Sequence, residues 1–293
     1  MRTIVSLLAR IPFLGLVLAM IYRAKIALSY FYKPAVYLVL WLFRSRETSN
    51  FTYALEERNL RYLTSLISDI TERDFDEILS YFKEIREDEE LQAHIQEQTT
   101  QSDMAPIADG KLELGRRVGW YAFVRAMKPR IIVETGVDKG LGACVLTSAL
   151  KRNKAEGYEG KYFGTDINPR AGFLLSGPFC NYGEMLYGDS IQSLQNFHHV
   201  IDLFINDSDH SAEYEEKEYE TIAGKLSKNA IILGDNSHCS DKLLEFALKS
   251  GRGFVFFQER PSRHWYPGAG IGIAFRRTKR VLPDSAGNGP DRN

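Results

Sequence analysis

The run Ile131 to Gly142, IIVETGVDKGLG, constrains this chain more than any other stretch. A short β-branched apolar segment ends on an acid, Glu134, and glycines are then spaced through a turn into the apolar run ACVLTSAL. A strand with an acid at its C-terminal edge, a glycine-rich bend and a helix N-terminus is how open α/β sheets grip a nucleoside-containing cofactor. The glycines alone would also serve a tight turn with positive φ and close helix packing. The order ExGxxxGxG, with Gly136, Gly140 and Gly142 after Glu134, departs from GxGxxG. The bend also carries Asp138, which would repel a phosphate at the helix N-terminus. The turn therefore favours a cofactor without phosphates.

Downstream segments recur at the interval of alternating strands and helices. Lys161 to Asp166 reads as a strand ending in an acid able to accept both hydroxyls of a ribose. Met185 to Ser190 ends on Asp189 and Ser190, a polar pair suited to an adenine amino group. Asp202 to Ile205 runs into NDSDHSAEYEE, and Ala230 to Leu233 runs into Gly234, Asp235 and Asn236. In a parallel sheet these polar C-terminal ends lie along one edge, where ligands bind.

The ordered series VETGVDKG, GTDINP, YGDS, FINDSDHSAEYE and ILGDNSH, within roughly Gly115 to Arg277, resembles the class I S-adenosylmethionine-dependent O-methyltransferases. The likeness is to the metal-assisted branch of catechol, caffeoyl-CoA and macrolide-sugar enzymes. It implies an α/β, Rossmann-like sheet, mostly parallel with an antiparallel C-terminal hairpin, behind an N-terminal helical extension. It implies S-adenosyl-L-methionine as cofactor, with Glu134, Gly136 and Gly140 around its methionine part, Asp166 at the ribose, and Asp189 and Ser190 at the adenine. Asp207, itself beside the cofactor, joins Asp235 and Asn236 at the family's metal positions. Two carboxylates and an amide oxygen suit Mg²⁺ better than Zn²⁺. Such a cation lowers the pKa of an acceptor hydroxyl and holds it in line with the sulfonium methyl. Asp209 is a further carboxylate nearby.

His210 stands where catechol-type relatives carry a basic lysine. Its imidazole can take the hydroxyl proton at neutral pH, with Asp207, or it caps the following acidic helix. His238 and His264 read as acceptor-pocket or structural residues. The loop ERPSRHWYPG, between strands over Gly253 to Gln258 and Ala269 to Arg276, carries Arg260, Arg263, His264, Trp265 and Tyr266. That rim fits a sugar or anionic acceptor, or else covers the sheet edge. Cys144, Cys180 and Cys239 form no CxxC pair, which argues for neither a zinc site nor a disulfide framework and for a reducing, cytoplasmic setting.

Residues Ile4 to Phe43 are strongly apolar, with Arg10, Arg23, Lys25 and Lys33 dispersed among them and Arg44 and Arg46 closing the stretch. Pro12 and Gly15 interrupt the first half and Lys33 and Pro34 split the second, so neither half is a clean span. Interleaved cations and aromatics suit helices lying at the cytoplasmic face of a membrane, held through residues 1–46. The competing readings are a true span and a dimerisation arm, which would make the protein a homo-oligomer.

Asn50 to Thr100 is charged and helical, with a Thr71/Asp74 capping box and a stripe of Phe75, Ile78, Leu79, Phe82 and Ile85. The expected division is a membrane-associating segment over 1–48, a helical lid or docking region over 49–110, the catalytic domain over 111–279 and a disordered tail over 280–293. The formal net charge of -1 argues against nucleic acid as a partner. The resemblance thus implies methyl transfer to a hydroxyl of a small molecule, sugar or lipid-linked acceptor. The alternatives are a metal-independent methyltransferase, a cephalosporin-hydroxylase-like enzyme, whose relatives share the ETGV and SDH pattern, and a non-catalytic membrane-bound scaffold.

Overall fold

A computed structural model of the protein describes residues 12–48, 52–109, 111, 113–235 and 237–277, the side chains of 12–14 excepted. Asn236, residues 1–11 and the tail expected to be disordered lie outside the described residues. The chain divides into two compact units. One comprises Met1–Ala126, Cys144–Ala149 and Gln258–Ala269; the other comprises Met127–Ala143, Leu150–Phe257 and Gly270–Asn293.

The second unit is built on a seven-stranded sheet: β1 Ile131–Thr135, β2 Lys161–Asp166, β3 Gly183–Tyr187, β4 Ile201–Asn206, β5 Leu226–Gly234, β6 Gly253–Gln258 and β7 Gly270–Phe275. Their order is β3-β2-β1-β4-β5-β7-β6. Strands β1 to β5 pair in parallel and β7 runs antiparallel to β5. The expected sheet and its C-terminal hairpin are both present. Near-continuous apolar runs in β1, β4 and β5 are what a strand covered on both faces requires. Val133, Phe204 and Ile232 from the sheet pack with Tyr219, Ile222 and Leu243 in a core shielded from solvent. Helix α6, Leu141–Ala155, follows β1; α7, Ser190–Gln195, follows β3; α8, Ala212–Ile222, follows β4; and α9, Lys242–Lys249, precedes β6.

In the first unit, α1 spans Pro12–Arg44, α2 Glu57–Thr71, α3 Phe75–Arg86, α4 Glu89–Gln101 and α5 Arg117–Met127. Leu60, Leu63 and Ile67 of α2 and Ile78, Phe82 and Ile85 of α3 recur at helical spacing and are buried. The expected Thr71/Asp74 capping box is corrected by the geometry. Thr71 ends the preceding helix, its hydroxyl donating to the Ile67 carbonyl at 2.7 Å. Asp74 caps α3 by itself, accepting from the Asp76 N–H at 2.8 Å. Asp88 caps α4 by accepting from the Leu91 N–H, and its second oxygen accepts from the Ser148 hydroxyl.

The expected break at Lys33 and Pro34 is absent, because α1 is one helix of 33 residues with Pro34 inside it. Pro12 stands in its first turn, where a missing donor costs nothing. Pro34 forfeits one backbone bond, at roughly 3 kcal/mol, while the turns on either side keep theirs. Gly15–Arg44 is long and apolar enough to cross a membrane, by length and composition.

Candidate active site at the carboxyl edge of the sheet

The strand register places the expected site residues together. Thr135 of β1 lies opposite Thr165 of β2 and Asn206 of β4, and Asn206 lies opposite Gly234 of β5. The next residue on each strand is therefore Gly136, Asp166, Asp207 or Asp235, side by side on the edge where open α/β sheets bind ligands. Gly136 has φ 78°, and a Cβ there would stand 2.0 Å from the Asp207 carbonyl oxygen. Only glycine lets the two loops approach this closely. Gly140, at φ 98°, caps α6 where a Cβ would press on Gly172 at 3.1 Å.

The bend is held from within. The Asp138 N–H donates to Asp166 Oδ2 at 2.9 Å, and the Asn168 N–H donates to Oδ1 at 2.8 Å. The expected ribose acid thus also fixes the glycine turn. Glu134 is buried and accepts from the Tyr162 hydroxyl at 2.6 Å, which orients its carboxylate. Asp189 caps α7, accepting from the Gln192 N–H at 2.9 Å and from the Tyr214 hydroxyl at 3.0 Å. Ser190 turns its hydroxyl inward, to Glu218 and to Tyr214.

Asp207, His210 and Asp235 each bring a ligand-type atom within 4.8 Å of the others. Asp235 is fully buried, and its N–H donates to the Asn206 carbonyl at 2.8 Å. His210 Nε2 stands 3.8 Å from Asp207 Oδ1 and its Nδ1 3.7 Å from Glu215 Oε1. Two convergent carboxylates, one of them out of solvent, are donors that fit a divalent cation, and the neighbouring imidazole widens the choice toward Mn²⁺, Fe²⁺ or Zn²⁺. Asp209 is not in this group; it accepts from the Ser211 N–H at 2.8 Å. His264 lies in the other unit, where its Nδ1 accepts from the Tyr266 N–H and burial lowers its pKa. His238 is exposed, 3.6 Å from the Cys239 thiol.

Sequence reasoning missed Glu218. This fully buried residue of α8 accepts from Ser190, Asn206, the Thr135 hydroxyl at 3.1 Å and the Ser208 hydroxyl at 2.9 Å. It ties the ends of β1 and β4 to the start of α7. Burial pushes its carboxyl up to about 7, against the downward pull of its hydroxyl donors. Glu215, one helical turn earlier, is also buried and accepts from Ser240. The signal was available, because Tyr219 and Ile222 mark the buried face of α8 and Glu215 and Glu218 fall on that same face.

A sheet of this order, parallel through five strands and closed by an antiparallel one, with acids at successive strand ends, is the class I methyltransferase fold. Residues 133–237 match the family described as Methyltransferase domain. No curated protein matches the chain. Among solved structures, an O-methyltransferase of tomaymycin synthesis from Streptomyces achromogenes, in complex with S-adenosylmethionine, is similar at 15% identity, covering 66% of this chain and 91% of its own, with a TM-score of 0.48. A Bacillus cereus O-methyltransferase in complex with S-adenosylhomocysteine is similar at 14% identity, covering 63% and 91%, with a TM-score of 0.45. A methyltransferase from Geobacter sulfurreducens is similar at 17% identity, covering 63% and 88%, with a TM-score of 0.44.

Proposed function

We propose that the protein is an S-adenosylmethionine-dependent O-methyltransferase that transfers a methyl group to a hydroxyl of a small-molecule, sugar or lipid-linked acceptor, with Mg²⁺ assistance. The observation that carries this reading is the register of Asp166, Asp207 and Asp235 along one sheet edge beside the Gly136 turn. Glu134, Gly136 and Gly140 wall the methionine part of the cofactor, Asp166 receives the ribose, and Asp189 with Ser190 borders the adenine. A carboxylate at Asp166 accepts both ribose hydroxyls while its backbone donors keep the turn closed.

Asp207 and Asp235, with Asn236, would hold the metal, which supplies Lewis-acid stabilisation of the acceptor oxygen. His210 takes the acceptor proton on its imidazole, and Asp207 Oδ1, 3.8 Å away, stabilises the charge it gains. Methyl displacement from a sulfonium is in-line and needs no protein nucleophile, so holding the two substrates in line carries the rate. The domain division expected from the sequence, with 1–48 at the cytoplasmic face of a membrane and 111–279 catalytic, belongs to this proposal. A membrane setting is supported by α1, an apolar helix whose large side chains are exposed along its length.

The test is transfer of labelled methyl from S-adenosylmethionine into lipid and sugar extracts, with the protein stripped of metal by EDTA and then resupplied with Mg²⁺, Mn²⁺ or Zn²⁺. Labelled product that falls with EDTA and with Asp207→Ala or Asp235→Ala is expected. Full activity of the metal-free protein would remove the metal from the reading. Calorimetric titration showing no cofactor binding at micromolar levels would remove the enzyme.

A further inference from the structure

The geometry points to α1 lying in the plane of an anionic bilayer surface, its apolar side inserted and its basic aromatic stripe at the headgroups, instead of crossing the membrane. It rests on the membrane association proposed above and adds the orientation and the lipid charge.

At about 100° per residue, Arg23, Tyr30, Lys33, Tyr37, Trp41 and Arg44 fall within roughly a quarter of the helix circumference. Met20, Ile21, Leu28, Phe31, Leu38 and Leu42 fall on the opposite side, and all six are exposed. The separation runs from Arg23 to Arg44, the turns before Arg23 being apolar all round. A transmembrane segment has no use for it, since lipid surrounds every face, whereas an interfacial helix needs one wet and one dry side. Ile26 falls inside the polar stripe and Leu40 at its margin, and Lys25 lies at the margin of the apolar side, where its stem can run along the surface to bring the ammonium to water. Lys33 would stand near the middle of a span over 26–43, where a cation is costly.

The polar stripe is the side that meets the rest of its own unit. Pro34, Tyr37 and Trp41 are only partly exposed, and Trp41 packs edge-on against Trp265 at a centroid distance of 5.3 Å and against His264 at 6.4 Å. Tyr53 and Tyr266 extend this cluster, their centroids 5.9 Å apart. Just beyond the helix, the Ser45 hydroxyl and the Arg46 N–H both donate to Asp109, at 2.7 and 2.9 Å. The C-terminal end of α1 is thus fixed to its unit through the stripe, which leaves the apolar side facing outward. Tryptophan and tyrosine beside cations are the side chains that settle at the headgroup level.

The occupant follows from charge. Helix α1 contains Arg23, Lys25, Lys33 and Arg44 and no acidic residue, so a phospholipid surface of negative charge complements it. A second copy of the chain would bring the same cations against each other.

The test uses the full chain and vesicles of phosphatidylcholine with or without phosphatidylglycerol. Flotation with the mixed vesicles is expected, reduced about fivefold by Lys33→Gln, in proportion to one lost surface cation. Depth is read by quenching of tryptophans introduced as I21W, L28W and L38W, using lipids brominated near the headgroup or deep in the chain, with the wild-type signal subtracted. An in-plane helix puts all three at one shallow depth. A span separates the first and last by about 25 Å of helix rise. Flotation with graded depths would overturn the in-plane orientation and leave membrane association standing. No flotation, with a stable dimer in lipid-free buffer, would overturn both. Neither result depends on methyl transfer.

Discussion

Replacing Glu218 by glutamine should flatten one part of the protein's pH–stability curve. The wild-type carboxyl is raised from 4.5 in the unfolded chain to about 7 in the fold, because burial penalises the charged form more than its donors favour it. The folded state therefore keeps the proton that the unfolded state releases. This contribution is fully present below pH 4.5 and is lost as pH rises through about 7, the opposite sense to a salt-bridged carboxylate. At 1.36 kcal/mol per pH unit of difference, it amounts to about 3 kcal/mol between the two limits. Glutamine resembles the protonated acid. Its amide oxygen can keep the Asn206 and Thr135 donors, while its NH₂ can donate to Ser190 and Ser208, whose hydroxyls are free to turn and accept.

The assay is urea unfolding of wild type and Glu218→Gln at pH 5 and pH 8. The other carboxylates titrate equally in both proteins, so the difference between the two curves isolates this group. The variant should gain on the wild type by about 2.5 kcal/mol from pH 5 to pH 8, slightly less than the full difference because pH 5 already lies above 4.5, with m unchanged. Parallel curves would refute the reasoning, and would mean that the four donors hold Glu218 ionised throughout. Glu218→Ala also removes the titrating group: it should cost roughly 2–4 kcal/mol at pH 8, because it strands the Asn206 amide in a buried site, and more at pH 5 by the same pH-dependent difference.

Gly136→Ala should cost upward of about 3 kcal/mol, since it adds a left-handed alanine to a backbone clash, and thermal melting together with cofactor titration should show both effects. A variant that melts and binds like wild type would mean that the two loops separate freely. His210→Gln should lower kcat by about 10²–10⁴ with cofactor affinity and melting temperature unchanged; a loss confined to metal affinity would make the imidazole a ligand in place of a base. Glu84→Ala should destabilise by roughly 3–5 kcal/mol in urea, because Arg125, 3% exposed, would be left buried without the carboxylate 2.7 Å from its Nε. A change below 1 kcal/mol there would show that the Tyr81 ring, 4.9 Å from the guanidinium, suffices for the cation.

The sheet was legible because each parallel strand announces itself twice, by a β-branched apolar run and by a polar residue where the run stops. Val133, Phe204 and Ile232 fill the core, and Gly136, Asp207 and Asp235 follow within a few residues of them. Period and edge therefore coincide in the sequence. The N-terminal helix was harder. Pro34 read as a break because a proline costs a bond locally, yet a helix continues wherever the turns on both sides hold, and no single residue reports that. The side-to-side separation in α1 is visible in the sequence only once the helix is known to be continuous. If it is split at Lys33, neither half is long enough to display it.

Helix α8 shows what a charge count conceals. AEYEEKEYETI reads as a solvated acidic helix, and three of its glutamates, Glu213, Glu216 and Glu220, do face away from the core. The other two lie on the stripe marked by Tyr219 and Ile222, where the helix is pressed against the sheet. An acid placed there must be matched by donors or keep its proton. Glu218 has both remedies at once: four side-chain donors from elements distant in sequence, and a pKa raised toward neutrality. Those donors, Thr135, Ser190, Asn206 and Ser208, each adjoin or lie next but one to a proposed cofactor or metal residue, namely Gly136, Asp189 and Asp207. A buried acid that binds all four therefore sets the spacing of the strand ends. The loops that would grip cofactor and acceptor owe their positions to a residue that touches neither, and its role becomes visible only when the helix is docked.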